Sequence, residues 1–142
     1  MAEPVQIVVD TNVVVAAMRS QLGVAYKLVS MLKHPRWQVN LSTALLLEYE
    51  DVLKRPGKLP VAPAVIDVFL DGLCSIANLR EVFYLWRPTS SDPSDDFLLE
   101  LAFRSQADFI ITYNTDDLRA AAEFGIEVVT PREFLRQMGE LQ

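Results

Sequence analysis

An aspartate stands where a short run of apolar residues ends near the start of the chain, in Val5-Gln6-Ile7-Val8-Val9-Asp10-Thr11-Asn12. The apolar run has the composition of a strand that is buried on both faces. In open α/β sheets, ligands bind outside the carboxyl ends of the strands. Asp10 is therefore a charged side chain at a position where binding and catalysis commonly occur, and the acids that join it there decide the chemistry.

Two predicted helices can bring further carboxylates to Asp10. In the helix 43–54, Glu48 lies at the edge of the apolar stripe, where a carboxylate is costly unless it is paired or bound to a metal. The alternative is a boundary glutamate that reaches water or an arginine. In the helix that begins at Pro93, Asp95 starts the inward stripe and Asp96 is rotated about 100° away from it. Acids in the first turn also stabilise a helix without any function, so capping is the alternative for Asp95.

A third group of polar side chains follows the predicted fourth strand, in Thr112-Tyr113-Asn114-Thr115-Asp116-Asp117. It brings hydroxyl, amide and carboxylate oxygens to a second strand end, although Asn114 or Thr115 as a helix cap explains part of the pattern equally well. Oxygen ligands without histidine or cysteine select hard cations such as Mg²⁺ or Mn²⁺. Such ions lower the pKa of bound water and clamp phosphate oxygens, which suits phosphodiester hydrolysis.

Composition limits the classes of function that remain. A chain of 142 residues with 51% apolar content fits one domain over residues 1–142, with a single packed core. The single cysteine, Cys74, and the single histidine, His34, exclude an internal disulfide, cysteine-rich zinc sites and paired catalytic histidines. The low cysteine content favours the cytoplasm, and no apolar run is long enough for a membrane span. The net charge of −6 argues against nucleic-acid binding through bulk positive charge, but it allows a contact through bound cations.

Strands and helices alternate along the whole chain, which predicts an α/β three-layer sandwich with a mainly parallel five-stranded sheet. Ser42 and Thr130 are predicted N-caps, as is Asp92 ahead of Pro93. The predicted strands are 5–10, 37–41, 79–86, 108–112 and 126–129. The predicted helices are 12–19, 22–33, 43–54, 63–77, 93–106, 115–124 and a last one from 131.

The order of four motifs resembles that of the PIN domain. They are Val-Val-Asp-Thr-Asn at 8–12, Leu-Ser-Thr-Ala-Leu-Leu-Leu-Glu-Tyr at 41–49, Asp-Pro-Ser-Asp-Asp-Phe-Leu-Leu-Glu-Leu-Ala at 92–102 and Ala-Asp-Phe-Ile-Ile-Thr-Tyr-Asn-Thr-Asp-Asp-Leu at 107–118. The similarity extends over nearly the whole chain. It is to the branch of small stand-alone PIN proteins that are regarded as toxins of toxin–antitoxin pairs.

The resemblance implies a Mg²⁺- or Mn²⁺-dependent ribonuclease that leaves a 5′-phosphate and a 3′-hydroxyl. Asp10, Glu48 and Asp95 match the first three acidic positions of the family, and Asn12 and Thr112 match its polar supports. Asp10 and Asp95 would hold the principal metal, with Glu48 acting on it directly or through a water. The resemblance also implies an RNA substrate, a homodimer and an antitoxin that reaches into the acidic groove.

One departure from the family pattern concerns the fourth acid. Relatives usually carry Thr-Gly-Asp after the fourth strand, whereas this chain has Thr112-Tyr113-Asn114. Asp116 or Asp117 is then the candidate to replace the missing carboxylate. A weakened second metal site and a lost activity both stay open.

Two other functions compete with the nuclease. Asn114 motivates the first, a PIN-like module without catalytic activity that binds RNA or a partner protein. The second is another α/β enzyme that acts on phosphate. A haloacid-dehalogenase-like phosphatase requires an aspartate where this chain has Asn12, and a receiver domain requires an acidic pair where Val9 precedes Asp10. The five dispersed glycines form neither a P-loop nor a dinucleotide-binding motif.

Overall fold

The structure is a computed structural model, and it describes residues 3–57, 59–81 and 93–141. The strands are β1 (Val5–Val9), β2 (Trp37–Leu41), β3 (Asn78–Leu79), β4 (Phe109–Ile111) and β5 (Glu127–Val129). The helices are α1 (Thr11–Arg19), α2 (Val24–Ser30), α3 (Thr43–Leu53), α4 (Pro63–Ile76), α5 (Pro93–Arg104) and α6 (Pro131–Gln137), with a 3₁₀ helix at Thr115–Phe124.

The five strands form one sheet in the order β3-β2-β1-β4-β5, and every pair is parallel. The chain therefore adds β2 and then β3 on one side of β1, and it crosses to the other side of β1 for β4 and β5. Because parallel crossovers are right-handed, the helices that serve the two halves lie on opposite faces of the sheet. Helices α1 to α4 accordingly pack on one another, and α5 packs on the 3₁₀ helix. The α/β layered fold and the parallel sheet predicted from the sequence are confirmed.

The central strand β1 is buried on both faces. Ile7, Val8 and Val9 are each 1% exposed or less, as the uninterrupted apolar run predicts. The register pairs Val9 with Ile111 of β4, so the two strands end at the same level. This alignment places Asp10 beside Thr112, the residue that follows β4.

Helix caps fix two of the element boundaries. The Ser42 hydroxyl accepts a hydrogen bond from the Leu45 N–H at 3.1 Å, at the start of α3. The Thr130 hydroxyl accepts from the Glu133 N–H at 3.2 Å, at the start of α6. Both predicted caps are confirmed, and the first sets the position of the helix that carries Glu48.

Several elements differ from the sequence prediction. Helix α2 is shorter than the predicted 22–33, because Met31 leaves the helical conformation at φ −107° and ψ 15°. The predicted helix 115–124 is a 3₁₀ helix with a kink at Leu118. The third strand is described only at Asn78–Leu79. The remainder of the predicted strand 79–86, from residue 82 onward, and the predicted cap Asp92 lie outside the described residues. Within the described ranges, no helix combines the length and the apolar character needed to cross a membrane.

Candidate active site

A cavity of about 590 Å³ opens at the carboxyl ends of β1 and β4. Three carboxylates on three different elements line it, namely Asp10 after β1, Glu48 on α3 and Asp95 on α5. The remaining lining residues are Thr11, Asn12, Val15, Ala16, Arg19, Val52, Tyr113 and Asn114. The cavity therefore has an acidic end and, along α1, an apolar wall that finishes at a cation.

Asp10 is held at the acidic end by side chains from both central strand ends. Its Oδ2 accepts hydrogen bonds from the Thr112 hydroxyl at 2.7 Å and from the Asn12 amide at 3.2 Å. The Asn12 amide also donates to the Thr112 hydroxyl oxygen at 3.3 Å. The Asp10 backbone N–H donates to the carbonyl of Ile111 at 2.9 Å, which continues the β1–β4 ladder. Asn12 and Thr112 thus fix the orientation of this carboxylate.

Asp10 is only 7% exposed, and burial raises the pKa of its carboxyl above the ordinary value of 3.8. The hydrogen bond from Thr112 opposes this rise, and the negative charge of Glu48 adds to it. Asp10 and Glu48 are therefore neighbours at this end of the cavity. Two neighbouring carboxylates, one of them nearly buried, favour a cation between them.

Glu48 reaches the cavity because α3 is attached to the end of β1. The wholly buried Tyr49 donates its hydroxyl hydrogen to the carbonyl of Val9. Burial raises the Tyr49 pKa well above its ordinary value, and the charges of Asp10 and Glu48 raise it further. The Thr11 hydroxyl, in the first turn of α1, donates to Glu48 Oε2. These contacts hold Glu48, which is partly buried, on the cavity wall beside Asp10.

The other predicted site residues divide into those on the cavity wall and those outside it. Asp95 and Asn114 line the cavity, and the Asn114 N–H donates to the Thr112 hydroxyl oxygen at 3.0 Å. Asp96, one residue further along α5, is half-buried and does not line it. Asp116 and Asp117 are exposed and do not line it either, and Asp116 pairs with Arg119 at 3.2 Å.

The donors around the cavity suit a hard divalent cation, because they are carboxylate, hydroxyl and amide oxygens. In the described ranges, no three Asp, Glu, His or Cys side chains lie close enough together to hold an ion as they stand. Asp10 and Glu48 supply two neighbouring carboxylates, and Asp95 faces the same space from α5. The donor set therefore fits a metal ion chemically, with Asp95 as the third carboxylate available to it.

Sequence reasoning missed two residues that position the acids. Thr11 orients Glu48, and Tyr49 attaches α3 to β1. Tyr49 belongs to the apolar stripe of its helix, so the pattern indicates core packing but says nothing about its hydroxyl. Thr11 follows Asp10 directly, yet its partner is 37 positions away. No local signal predicts that contact, because it requires α1 and α3 to lie side by side.

Comparison with known families decides the assignment. The family model for the PIN domain matches residues 6–116. The chain belongs to the PIN-domain family. PIN domains are generally nucleases. The matched region of this PIN domain contains Asp10, Glu48, Asp95 and Thr112, all of which lie at the cavity or beside it.

A solved structure supports the fold of this PIN domain. VapBC2 from Rickettsia felis, bound to a DNA fragment from their promoter, superposes with a TM-score of 0.56 at 15% sequence identity. The match covers 87% of this chain and 96% of that chain. At this identity the likeness concerns the fold alone. No curated protein is significantly similar in sequence to this PIN domain.

Proposed function

We propose that this PIN domain is a Mg²⁺- or Mn²⁺-dependent endoribonuclease that hydrolyses phosphodiester bonds of RNA. The observation that carries the proposal is the convergence of Asp10, Glu48 and Asp95 on one cavity from three separate elements. A protein with a net charge of −6 gains nothing for RNA binding from three acids on one cavity unless a cation stands between them and the phosphate.

Each residue of the site has a distinct part in holding the ion. Asp10 would be the principal ligand, because Thr112 and Asn12 fix the orientation of its carboxylate. Asp95 is the second ligand, and Glu48 acts on the ion directly or through a water. When bound, the ion lowers the pKa of a water to make a nucleophile and clamps the phosphate oxygens.

The acids must carry the chemistry without help from a protein base of another type. The only histidine of the chain, His34, stacks on Trp37 at 3.9 Å and lies 3.6 Å from Glu140. The only cysteine, Cys74, lies between α3 and α4 in a separate pocket. Neither lines the acidic cavity, so neither an imidazole nor a thiol is available there to act as a base.

The test is RNA cleavage by the whole chain with and without divalent ions. We expect Mg²⁺ or Mn²⁺ to support cleavage of a single-stranded RNA into products with a 5′-phosphate and a 3′-hydroxyl, and a chelator to abolish it. Asp10→Asn and Asp95→Asn each lower the rate by about 100-fold or more, because a catalytic metal contributes several kcal/mol. Asp51→Asn, an exposed acid that pairs with Arg55, is the matched control and leaves the rate unchanged.

Two outcomes contradict the proposal. Cleavage that is equal in wild type and both site variants shows a contaminating nuclease or another site. Cleavage that persists in the chelator shows a reaction without a metal. Asp116→Asn and Asp117→Asn, measured in parallel, decide whether either residue replaces the fourth acid.

A second candidate function is a PIN module that binds RNA or a protein without cutting. Asn114 supports it, because an amide stands on the cavity wall where relatives usually carry a carboxylate. This candidate predicts that wild type binds single-stranded RNA and does not cleave it with either metal ion. Restoring the acid by Asn114→Asp then produces cleavage.

The family resemblance is also the basis for proposals about binding partners and the cellular compartment. We propose an antitoxin that occupies the acidic cavity, and a cytoplasmic setting consistent with the low cysteine content. We also propose a homodimer, for which the exposed Val65 and Val68 on α4 offer an apolar surface. Co-purification with the product of a neighbouring gene and light scattering of the pure chain test these proposals.

A further inference from the structure

Tyr113 presents an aromatic ring at the rim of the acidic cavity. It follows Thr112 directly after β4 and is 47% exposed. Its backbone N–H donates to Asn12 Oδ1 at 3.3 Å, and the Asn12 amide binds Asp10. The backbone at Tyr113 is therefore held by the same network that orients Asp10, and the residue lines the cavity beside the acids. The family resemblance leads us to expect glycine at this position.

Among the residues that the structure describes, no hydrogen bond or ring contact gives the Tyr113 side chain a structural role. In the described part of the chain, its hydroxyl makes no hydrogen bond and its ring stacks on no other ring. Tyr49, by contrast, is fully buried and donates to a carbonyl. Buried tyrosines generally find such a partner, whereas an exposed ring at a cavity rim is free to contact a ligand.

Two cations flank this ring and the acids. Arg19 lines the far end of the cavity, and neither it nor Arg132 pairs with a carboxylate within the described ranges. Burial raises the Tyr113 pKa, and the positive charge of Arg132 opposes that rise. Arg132 is therefore near enough to Tyr113 for its charge to act there. Most other arginines of the described chain do form ion pairs, namely Arg36, Arg55, Arg104 and Arg119. Unpaired guanidinium groups beside an acidic site suit the phosphates of a nucleic acid.

An apolar surface completes the arrangement. Val15, Ala16 and Val52 form the cavity wall between the acids and Arg19. On α1, Asn12, Ala16 and Arg19 are spaced three to four residues apart, so they follow one face of the helix. A flexible strand that crosses the acids can therefore meet an aromatic ring, an apolar wall and two cations.

We propose that Tyr113 is a specificity-determining residue on which an unpaired base of single-stranded RNA stacks, with the flanking phosphates directed to Arg132 and Arg19. The proposal rests on the ribonuclease function proposed above. Base stacking on an aromatic ring requires the base to leave a helix, so the site selects single-stranded RNA over duplex. Because every base has a flat face, the ring selects unpaired nucleotides with little preference for sequence.

The experiment is a double-mutant cycle between the protein and its substrate. The probe is a single-stranded RNA oligonucleotide with one abasic position, moved stepwise across the cleavage site. Binding is measured with Asp10→Asn variants so that no cleavage occurs, and cleavage is measured with otherwise wild-type protein. We compare Tyr113→Ala with Tyr113→Phe, which keeps the ring, and with Tyr26→Ala, which removes another partly exposed tyrosine that does not line the cavity.

We expect Tyr113→Ala to weaken binding of intact RNA about 5- to 100-fold, the range found when a stacking residue is removed. Tyr113→Phe and Tyr26→Ala remain near wild type. At one position, removing the base weakens RNA binding by the wild type as much as Tyr113→Ala weakens binding of intact RNA. Combining the abasic RNA with Tyr113→Ala then brings no further loss of affinity. If Tyr113 has only a structural role, the loss of affinity caused by Tyr113→Ala multiplies the loss caused by the missing base at every abasic position.

The stacking proposal is overturned if the losses of affinity are independent at every abasic position, or if duplex and single-stranded RNA bind equally well. Cleavage by the wild type still supports the ribonuclease function in that case. A wild type that neither binds nor cleaves any RNA overturns both. Cleavage of single strands that Tyr113→Ala leaves unchanged overturns the stacking proposal alone.

Discussion

Asp10 carries a charge at a place where the fold disfavours one. It is nearly buried, it lies beside Glu48, and the hydrogen bond from Thr112 compensates only in part. An ionised pair of this kind lowers the stability of the metal-free protein. Such a loss of stability is typical of functional sites, where a charged group is kept in place for binding or catalysis.

The pH dependence of stability tests this point. The Asp10 pKa is raised on folding, so between 3.8 and the folded value the native state holds the proton more tightly than the unfolded chain. Wild type therefore loses stability as the pH rises through that window, and Asp10→Asn, which does not titrate there, does not. We measure the free energy of unfolding of Asp10→Asn minus that of wild type, with a chelator present to remove metal ions. We expect this difference to increase with pH and then to level off.

Urea unfolding at several pH values between 3.5 and 8 measures this difference, since about two pH units on either side of a pKa cover its titration. Asp51→Asn, which removes a carboxylate at an exposed position away from the cavity, is the control. A difference between Asp10→Asn and wild type that falls with pH contradicts the account.

At the scale of elements, α5 combines a site residue with a buried ion pair. Glu100 is fully buried, and its Oε1 accepts from Arg104 Nε at 2.9 Å. Its Oε2 has no hydrogen-bond partner in the described part of the chain. The half-exposed Arg104 is therefore the sole cation that pairs with Glu100 among the described residues, and the pair lies within the helix that also carries Asp95.

Removing Arg104 measures the importance of that pair. We expect Arg104→Ala to lower the free energy of unfolding by about 3 kcal/mol, because it leaves a buried charge without a partner. Arg119→Ala breaks the pair with Asp116, which is on the surface, and costs less than about 1 kcal/mol. Adding Glu100→Gln to Arg104→Ala recovers part of the loss. Equal effects of the two arginine substitutions, measured by denaturant unfolding, contradict this interpretation.

The elements also show where sequence patterns suffice. The apolar run before Asp10 and the cap residue Ser42 predict β1 and the start of α3 because they act through local conformation and continuous burial. The 3₁₀ geometry of Thr115–Phe124 was not predictable, since its composition allows either helix type and the kink at Leu118 depends on packing. Glu100 gave no signal either, because a Glu–Arg pair four residues apart is typical of an exposed helix face.

At the scale of the whole molecule, sheet topology brings the site together. Asp10 and Thr112 are 102 positions apart in sequence and 2.7 Å apart in space, because β1 and β4 are neighbours that end at one level. The sequence predicts the strand ends, and the helix faces make Glu48 and Asp95 candidates to join them. The family resemblance was needed to favour that interpretation over a boundary glutamate and a helix cap. The contacts of Thr11 and Tyr49 depend on side-chain packing and were beyond either source.

The charge of the whole molecule predicts a weak dependence of RNA binding on salt. With a net charge of −6, few phosphates are neutralised by side chains, and Arg19 and Arg132 are the candidates. Two such contacts to a single strand give a slope of log affinity against log salt of roughly −1.4. Fluorescence anisotropy at constant Mg²⁺ and rising KCl measures this slope with the Asp10→Asn variant, in which cleavage is slow. A slope of about −4 or steeper requires a basic surface that the proposed contacts do not provide.

The central claim is that Asp10, Glu48 and Asp95 serve one divalent ion. A crystal of the protein soaked in Mn²⁺ tests it most directly through anomalous scattering. We expect an anomalous peak in the acidic cavity with oxygens of Asp10 and Asp95 at about 2.0–2.6 Å, the range of hard-cation ligands, and no peak in Asp10→Asn. A fully soaked crystal with Mn²⁺ only elsewhere, or with Asp95 turned away from an occupied Asp10, contradicts the account.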